Sequence, residues 1–468
     1  MAKDSDIIIL GSGSTAFAAA LRAQALGARV TMIEKSTPGG TCINWGCIPS
    51  KTLIHSALFR QEARLGEALG VGTAVNGIDW GRLTNHKNKV VNGLRKSKYL
   101  DVLQAVPNLR LIKGTGQFIG PQTLKVADEV LRSDRILVAT GGFPLIPNLP
   151  GLDSVDYLTS RSALLLKKAP TSLIIIGGGV IAVEMGQMFT RLGTKVRILE
   201  RGKHILSFVE NEPALAVQTT LQKEGIKFFL GGKVLEIARF GSLVDVRAEY
   251  DGQRKTFRAE KLMVAVGTAP ASRGIGLEKV GVEVNDRGFV TVDNQMRTTA
   301  PGIWAAGDVT GGVMIATVGA REGIVAVDNM LNPDCSCRID YCSLPMAIFT
   351  DPEIGIVGYT EESARKAGYR VTTNTMPVSA IPKAQVTGHT AGAIKMVAEE
   401  GSGRLLGVHL SCHRGADIIN EAALAIRCRV TVSDLAGTTH VYPSMAEGLR
   451  LCAQGFTRDI SKLSCCAE

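Results

Sequence analysis

The sequence holds no long block of basic residues, although its formal net charge is +10. It also lacks a base-stacking or groove-reading motif, so the charge does not point to nucleic acid. Acidic small molecules such as dinucleotides account for a mild basic excess equally well. A long apolar run is missing too. The most apolar interior stretch, 173–183, is about half a membrane span and is broken by glycines, so no membrane span is expected. The opening MAKDSDIIIL has neither the apolar stretch nor the small-residue cleavage site of a signal peptide. A soluble, cytoplasmic protein is therefore expected. Cysteine is sparse for 468 residues: the ten present are unevenly spaced and do not make a disulfide scaffold. In a reducing compartment such cysteines point instead to redox or metal chemistry. Low-complexity segments and short repeats are absent.

One long-range similarity is present. Asp6 to Leu10 is a short apolar strand, followed by Gly11-Ser-Gly13-Ser-Thr-Ala16, an alanine-rich helix to Leu26, and a second strand ending at Glu34. The pattern returns at Leu173 to Ile176, with Gly177-Gly-Gly179-Val-Ile-Ala182, a helix to Leu192 and a strand ending near Glu200. Each reads as a βαβ unit. Glycine-rich turns also serve as plain strand-to-helix connections, but here the requirements for a dinucleotide are met together. The first glycine makes the turn, the second lets backbone approach a pyrophosphate, and Ala16 or Ala182 permits close helix packing. The helix N-terminus supplies N–H donors for phosphate, and Glu34 and Glu200 stand where a carboxylate can accept from a ribose.

Breaks near residues 144–150, 268–272 and 332–343 divide the chain. The expected domains are an FAD-binding part at 1–148, an NAD(P)-binding domain at 149–268, a second FAD or central part at 269–340, and a dimerisation domain at 341–468 carrying a Cys-Cys tail. Extended runs at 347–350, 355–358 and 393–397, then helical ones at 415–427 and 432–435, give the last an α+β character. The fold class is α/β: two Rossmann-like dinucleotide-binding domains plus an α+β C-terminal domain.

The sharpest motif is Gly39-Gly40-Thr41-Cys42-Ile-Asn-Trp-Gly-Cys47-Ile-Pro-Ser-Lys51. The spacing puts two sulfurs about one helical turn apart at a helix start, where the dipole favours thiolate. A zinc half-site or two buried cysteines are the plainer readings, but zinc needs further ligands at suitable spacing and none lies close in sequence. The pair resembles the redox disulfide of the pyridine nucleotide-disulfide oxidoreductase family, and the resemblance extends over nearly the whole chain in the family's domain order. It implies that Cys47 lies against a flavin and that Cys42 attacks or binds the substrate. Lys51 is implied to sit near the flavin's reactive nitrogen, paired with Glu184. Glu34, followed directly by the cysteine pair, places FAD on the first glycine unit and the nicotinamide on the second. Gly302-Ile-Trp-Ala-Ala-Gly-Asp308 resembles the family's second flavin motif, with Asp308 on the ribityl chain. Thr140-Gly141 and Gly267 resemble the signatures that close each dinucleotide domain. Glu200 favours NADH, since a 2′-phosphate would meet a like charge, whereas Arg201 and Lys203 pull toward NADPH, as does the resemblance. Trp45 and Val180 depart from the family pattern.

Disulfide-reducing members carry an acid-base histidine before a proline, with a glutamate five residues on. Here the stretch reads Tyr442-Pro-Ser-Met-Ala-Glu447. A phenol with pKa near 10 is a poor proton shuttle at neutral pH, although His440 lies two residues earlier. The chain ends with Cys465-Cys466, and adjacent thiolates can hold a soft metal. Together these features are similar to mercuric reductases. The implied activity is NAD(P)H-dependent reduction of thiol-bound Hg(II) to Hg(0). In it Cys465 and Cys466 pass the metal to Cys42 and Cys47 of the other subunit of a homodimer, with active sites at the subunit interface. Tyr99 and Tyr442 match tyrosines near the metal. The metallochaperone domain of many such enzymes is not expected ahead of the flavin motif. Two other readings stand beside this one: a thioredoxin-reductase-like shuttle through the tail cysteines, and a non-enzymatic flavoprotein that sequesters metal. Cys335 and Cys337 are read as surface or packing residues in preference to a metal clip. Cys342, Cys412, Cys428 and Cys452 have no assigned role.

Overall fold

A computed structural model describes residues 5–332 and 334–462. These residues form two units. The first comprises the chain up to Thr52, Gly81–Leu145 and Gly267–Ile339; the second comprises Leu53–Trp80, Ile146–Val266 and the chain from Asp340 onward.

In the first unit the strand Ile7–Leu10 is buried at every position, as a central strand covered on both faces must be. It lies third in a five-stranded sheet ordered Ile303–Ala305, Ile136–Val138, Ile7–Leu10, Val30–Glu34, Leu109–Lys113. All four pairings are parallel. The helix Ser14–Ala25 buries Ala16, Ala19, Ala20 and Ala23. Its neighbour Ala316–Leu331 approaches through Gly319 and Gly323, where a Cβ would come 2.5 Å from Thr15. Small residues on both helices are what permit that distance. A three-stranded antiparallel sheet (Gly116–Gly120, Thr123–Val126, Glu129–Arg132) and a two-stranded one (Gly142–Pro144 with Thr268–Pro270) complete the unit.

The second unit repeats the dinucleotide pattern with a parallel sheet ordered Lys227–Phe229, Lys195–Leu199, Ser172–Ile176, Lys261–Val264, Tyr157–Leu158. Its C-terminal part is an antiparallel five-stranded sheet, ordered Met346–Ile348, Glu353–Gly358, Leu405–Cys412, Ala393–Glu399, Val371–Pro377. The helices Gly415–Arg427, Val432–Ala436 and Glu447–Gln454 accompany it. This is the expected fold class, with the α+β texture where the sequence placed it. Among the described residues, no helix is long and apolar enough to cross a membrane.

Two charge clusters are buried in this unit. Lys395 lies 3.1 Å from Glu210, 3.1 Å from Glu212 and 3.2 Å from Glu361. Burial opposes its charge, but the three carboxylates prevail and its pKa is raised. Arg191, only 5% exposed, is 2.6 Å from both Glu224 and Asp351. Removing it leaves two carboxylates without their cation, one of them nearly enclosed. Arg191→Ala is therefore expected to cost about 3–5 kcal/mol, measured by denaturant titration. A loss below about 1 kcal/mol would show that water already screens the cluster.

Candidate functional site

At the first glycine turn the backbone is committed by two close approaches. Gly11 has φ +118, and a Cβ there would meet the Ala139 carbonyl oxygen at 2.2 Å. Gly40 faces Gly13, so that its Cβ would lie 2.5 Å from the Gly13 Cα. Gly13 itself caps the helix Ser14–Ala25 with no side-chain hydrogen bond, leaving the first N–H groups to a ligand. Glu34 ends the next strand; its carboxylate accepts from the Ser12 hydroxyl at 2.6 Å and the Ser36 amide at 2.7 Å. A cavity of about 270 Å³ opens here, lined by Glu34, Lys35, Thr115, Thr140 and Arg273 among others. The Thr140 hydroxyl is buried with no hydrogen-bond partner among the described residues. Asp308 opens a short helical turn, and burial raises its carboxyl pKa. The turn before it is fixed by buried Glu322, which accepts from the Gly307 amide at 2.7 Å.

The second glycine turn repeats the geometry. A Cβ on Gly177 would meet the Ala265 carbonyl oxygen at 2.3 Å, while around Gly179 there is open space. Ala182 is fully buried, and the helix Val180–Arg191 also starts without a side-chain cap. The Glu200 carboxylate accepts from the Gly202 amide at 2.6 Å; Arg201 and Lys203 are exposed beside it. Gly267 has φ +135. Buried Glu184 accepts from the Phe349 amide at 2.9 Å.

The cysteine motif departs from a single helix start. Cys42 lies in the short helix Gly40–Trp45, and Cys47 is the first residue of Cys47–Ala68, with Gly46 breaking the two. Neither is in a disulfide, and both are half-buried. The expectation of a lowered thiol pKa is reversed at Cys42. Its hydrogen bond with Cys47, then burial, then the Cys47 charge push it up, against the pull of Lys51. Two thiolates in one low-dielectric site repel, so Cys42 keeps the proton. Burial, followed by the charges of Cys42 and Cys47, also raises the Tyr99 phenol. Tyr99 sits on a π-helical turn, Lys96–Leu100, edge-on to Phe17 at 4.6 Å. Asn44 donates to the Pro38 and Gly40 carbonyls (3.0 and 2.9 Å) and accepts from Arg95 at 3.0 Å, holding the glycine loop.

On the second unit, Tyr442, His440, Glu447 and Arg450 line an open cavity of about 540 Å³. Tyr442 is exposed and Glu447 is buried. Glu447 pairs with Arg450 at 2.9 Å. His440 turns away from it: Nε2 meets Glu421 at 2.8 Å and Nδ1 meets the Thr438 carbonyl at 2.9 Å. Cys335 and Cys337 are joined by a disulfide. Cys465 and Cys466 lie outside the described residues.

Residues 5–323 match the family described as pyridine nucleotide-disulphide oxidoreductase, and residues 344–453 match that family's dimerisation domain. The chain belongs to the pyridine nucleotide-disulphide oxidoreductase family. Relatives include the mercuric reductase of Bacillus cereus, 38% identical over 99% of this chain and 73% of that protein. The mercuric reductase of Streptomyces lividans is 38% identical over 99% of this chain and 98% of that protein. Among solved structures, the Cu(II) complex of the HOCl-induced flavoprotein disulfide reductase RclA from Escherichia coli is similar at 32% identity with a TM-score of 0.86. That match covers 97% of this chain and 99% of the other.

As a pyridine nucleotide-disulphide oxidoreductase, the chain uses FAD and a nicotinamide dinucleotide. Its residues fit both. The unpartnered Thr140 hydroxyl and the glycine cradle of Gly11, Gly13 and Gly40 suit FAD, and the space at Gly179 suits the second dinucleotide. Ser12, Asn44, Arg95 and Glu322 were not apparent from the sequence. Their partners stand 22, 6, 51 and 15 residues away, and only Asn44, between two glycine-bounded cysteines, carries a local hint.

Proposed function

We propose that the chain is an NAD(P)H-dependent mercury(II) reductase acting on thiol-bound Hg(II). The observation that carries the reading is that, among the described residues, Glu447 is paired with Arg450 and with no imidazole. In the disulfide-reducing pattern a histidine would pair with that glutamate. Here the position is Tyr442, Glu447 takes Arg450, and the nearby His440 is held by Glu421. A dithiol without an acid-base imidazole is poorly suited to thiol exchange but well suited to binding a soft cation, which displaces protons without needing a shuttle. The mercuric reductase relatives support the same reading.

In this proposal Cys42 and Cys47 exchange the two thiolates of Hg(SR)₂, and the free thiols leave. Bound FAD supplies the two-electron relay from nicotinamide to metal. The sum is NAD(P)H + H⁺ + Hg(SR)₂ → NAD(P)⁺ + Hg(0) + 2 RSH. Tyr99, whose phenol stays protonated beside the sulfurs, donates to a thiolate or orients the metal. Gly11, Gly13, Ala16, Glu34, Gly40, Thr41, Thr140, Gly141 and Asp308 would hold FAD. Gly177, Gly179, Ala182, Glu200, Arg201 and Gly267 would hold the nicotinamide dinucleotide. The family's dimerisation domain supports a homodimer, in which Tyr442 and the Cys465–Cys466 tail would serve the cysteine pair of the other subunit.

The deciding test follows NAD(P)H absorbance on adding Hg(II) with excess thiol, while trapping mercury vapour. Sustained oxidation with vapour release is expected. The likeness to RclA favours a second reading, disulfide reduction, and turnover of a disulfide without mercury release would establish that instead. Glu200→Gln is expected to improve the NADPH to NADH ratio of kcat/KM by roughly tenfold, about 1.4 kcal/mol. An unchanged ratio would place the choice on Arg201 and Lys203.

A further inference from the structure

Glu62, His389 and His413 come from three separate stretches of the second unit. Glu62 is on the helix Cys47–Ala68, His389 follows the helix Pro382–Thr387 through Gly388, and His413 directly follows the strand Leu405–Cys412. One ligand atom from each lies within 4.8 Å of the others. His389 Nε2 stands 3.4 Å from Glu62 Oε1. The imidazoles of His389 and His413 stack with centroids 4.1 Å apart and planes 4° from parallel. That is closer than the roughly 4.5–7 Å usual for aromatic pairs. All three residues are half-buried and line one cavity of about 200 Å³. Asp351 and Glu224, in the same wall, are committed to Arg191.

We propose that Glu62, His389 and His413 form a binding site for one first-row divalent transition-metal ion, with Zn(II) as its probe. Two imidazoles and one carboxylate, with a cavity left for water, are the donor set of a three-ligand zinc site. Calcium and magnesium require more oxygen ligands than the cluster offers, and a soft ion is better served by thiolates. Zn–N distances of about 2.0–2.1 Å draw the ligand atoms together by roughly 1 Å. The glycine at 388, with φ +75 and only flexible leucine side-chain ends near its Cβ position, gives His389 that freedom. The site is independent of the mercury reading, since it contains no thiol.

The test uses the flavin-loaded full chain, stripped of metal by a chelator and alkylated at its thiols, titrated with Zn(II) in a calorimeter. One equivalent is expected to bind. His389→Ala and His413→Ala should each weaken it by about tenfold or more, and Glu62→Gln by about tenfold. Flavin content and NAD(P)H oxidation of the unalkylated variants report that the fold is kept. X-ray absorption of the zinc-loaded alkylated wild type needs no variant and should show two imidazoles in a nitrogen and oxygen shell. No binding, or affinity changed less than about twofold in both histidine variants, overturns the site. So does a zinc shell without imidazole.

Discussion

Cys47→Ser is expected to lower NAD(P)H-dependent Hg(II) turnover by about 10³-fold or more, with flavin content unchanged. The loss follows from the chemistry of the pair. The hydrogen bond with Cys47, then burial, then the Cys47 charge raise the Cys42 pKa, so the two sulfurs respond as one unit in the proposed exchange. A serine at either position offers a hard oxygen that ionises far above neutral pH and has little affinity for a soft cation. Cys42→Ser should therefore fall as far, and the double variant no further, since members of one unit are not additive. Turnover retained within about tenfold in either variant would remove the pair from the reaction. In the double variant the Tyr99 phenol should ionise at lower pH, because the charges of both cysteines add to burial in pushing it up.

The second large effect is expected at a position where the protein itself leaves room. A Cβ on Gly13 would meet only the Gly40 Cα, at 3.7 Å, and its φ of −78 is open to any residue. Gly13→Val should consequently fold. It places methyl groups at an uncapped helix start, where a pyrophosphate needs backbone contact. FAD affinity is expected to fall by about 100-fold, as overpacking of roughly 3 kcal/mol implies. The purified variant should be nearly colourless, with unchanged circular dichroism. Full yellow protein at ordinary FAD concentration would move the phosphate elsewhere. Gly179→Val is the counterpart for the nicotinamide dinucleotide, and it should raise KM while leaving the flavin bound.

Both βαβ units were legible because strand, glycine turn, alanine-rich helix and terminal glutamate follow one another in sequence. The structure ends the first helix at Ala25 and the second at Arg191, one residue short of the expected ends. The C-terminal sheet was legible in part: its apolar strands and the helix Gly415–Arg427 stood out, whereas Val371–Pro377, with polar residues at four of its seven positions, did not. The site was legible where residues are neighbours, as with Cys42, Cys47 and Glu34. It was opaque where the partner is remote. The break at Gly46 depends on a backbone turn that C-x₄-C spacing does not encode, and the π-helical turn under Tyr99 sits inside a stretch that reads as ordinary helix. His440 looked free to act from its place in the sequence; only the fold brings Glu421, 19 residues away, onto its ring. Glu62, His389 and His413 likewise share nothing but space.

The sheet of the first unit takes its edge strand, Ile303–Ala305, and the helix that covers Ser14–Ala25 from the far side of a long intervening stretch. On the ribosome, the helix Ser14–Ala25 therefore waits for a partner made roughly 300 residues later, about 15 to 60 s at ordinary translation rates. Through that interval Ala16, Ala19, Ala20 and Ala23 have no helix to pack on, and the nascent chain cannot complete a flavin pocket. The stretch made in the meantime carries its own parallel sheet and can close first, so synthesis favours a protein whose second nucleotide fold matures before its first.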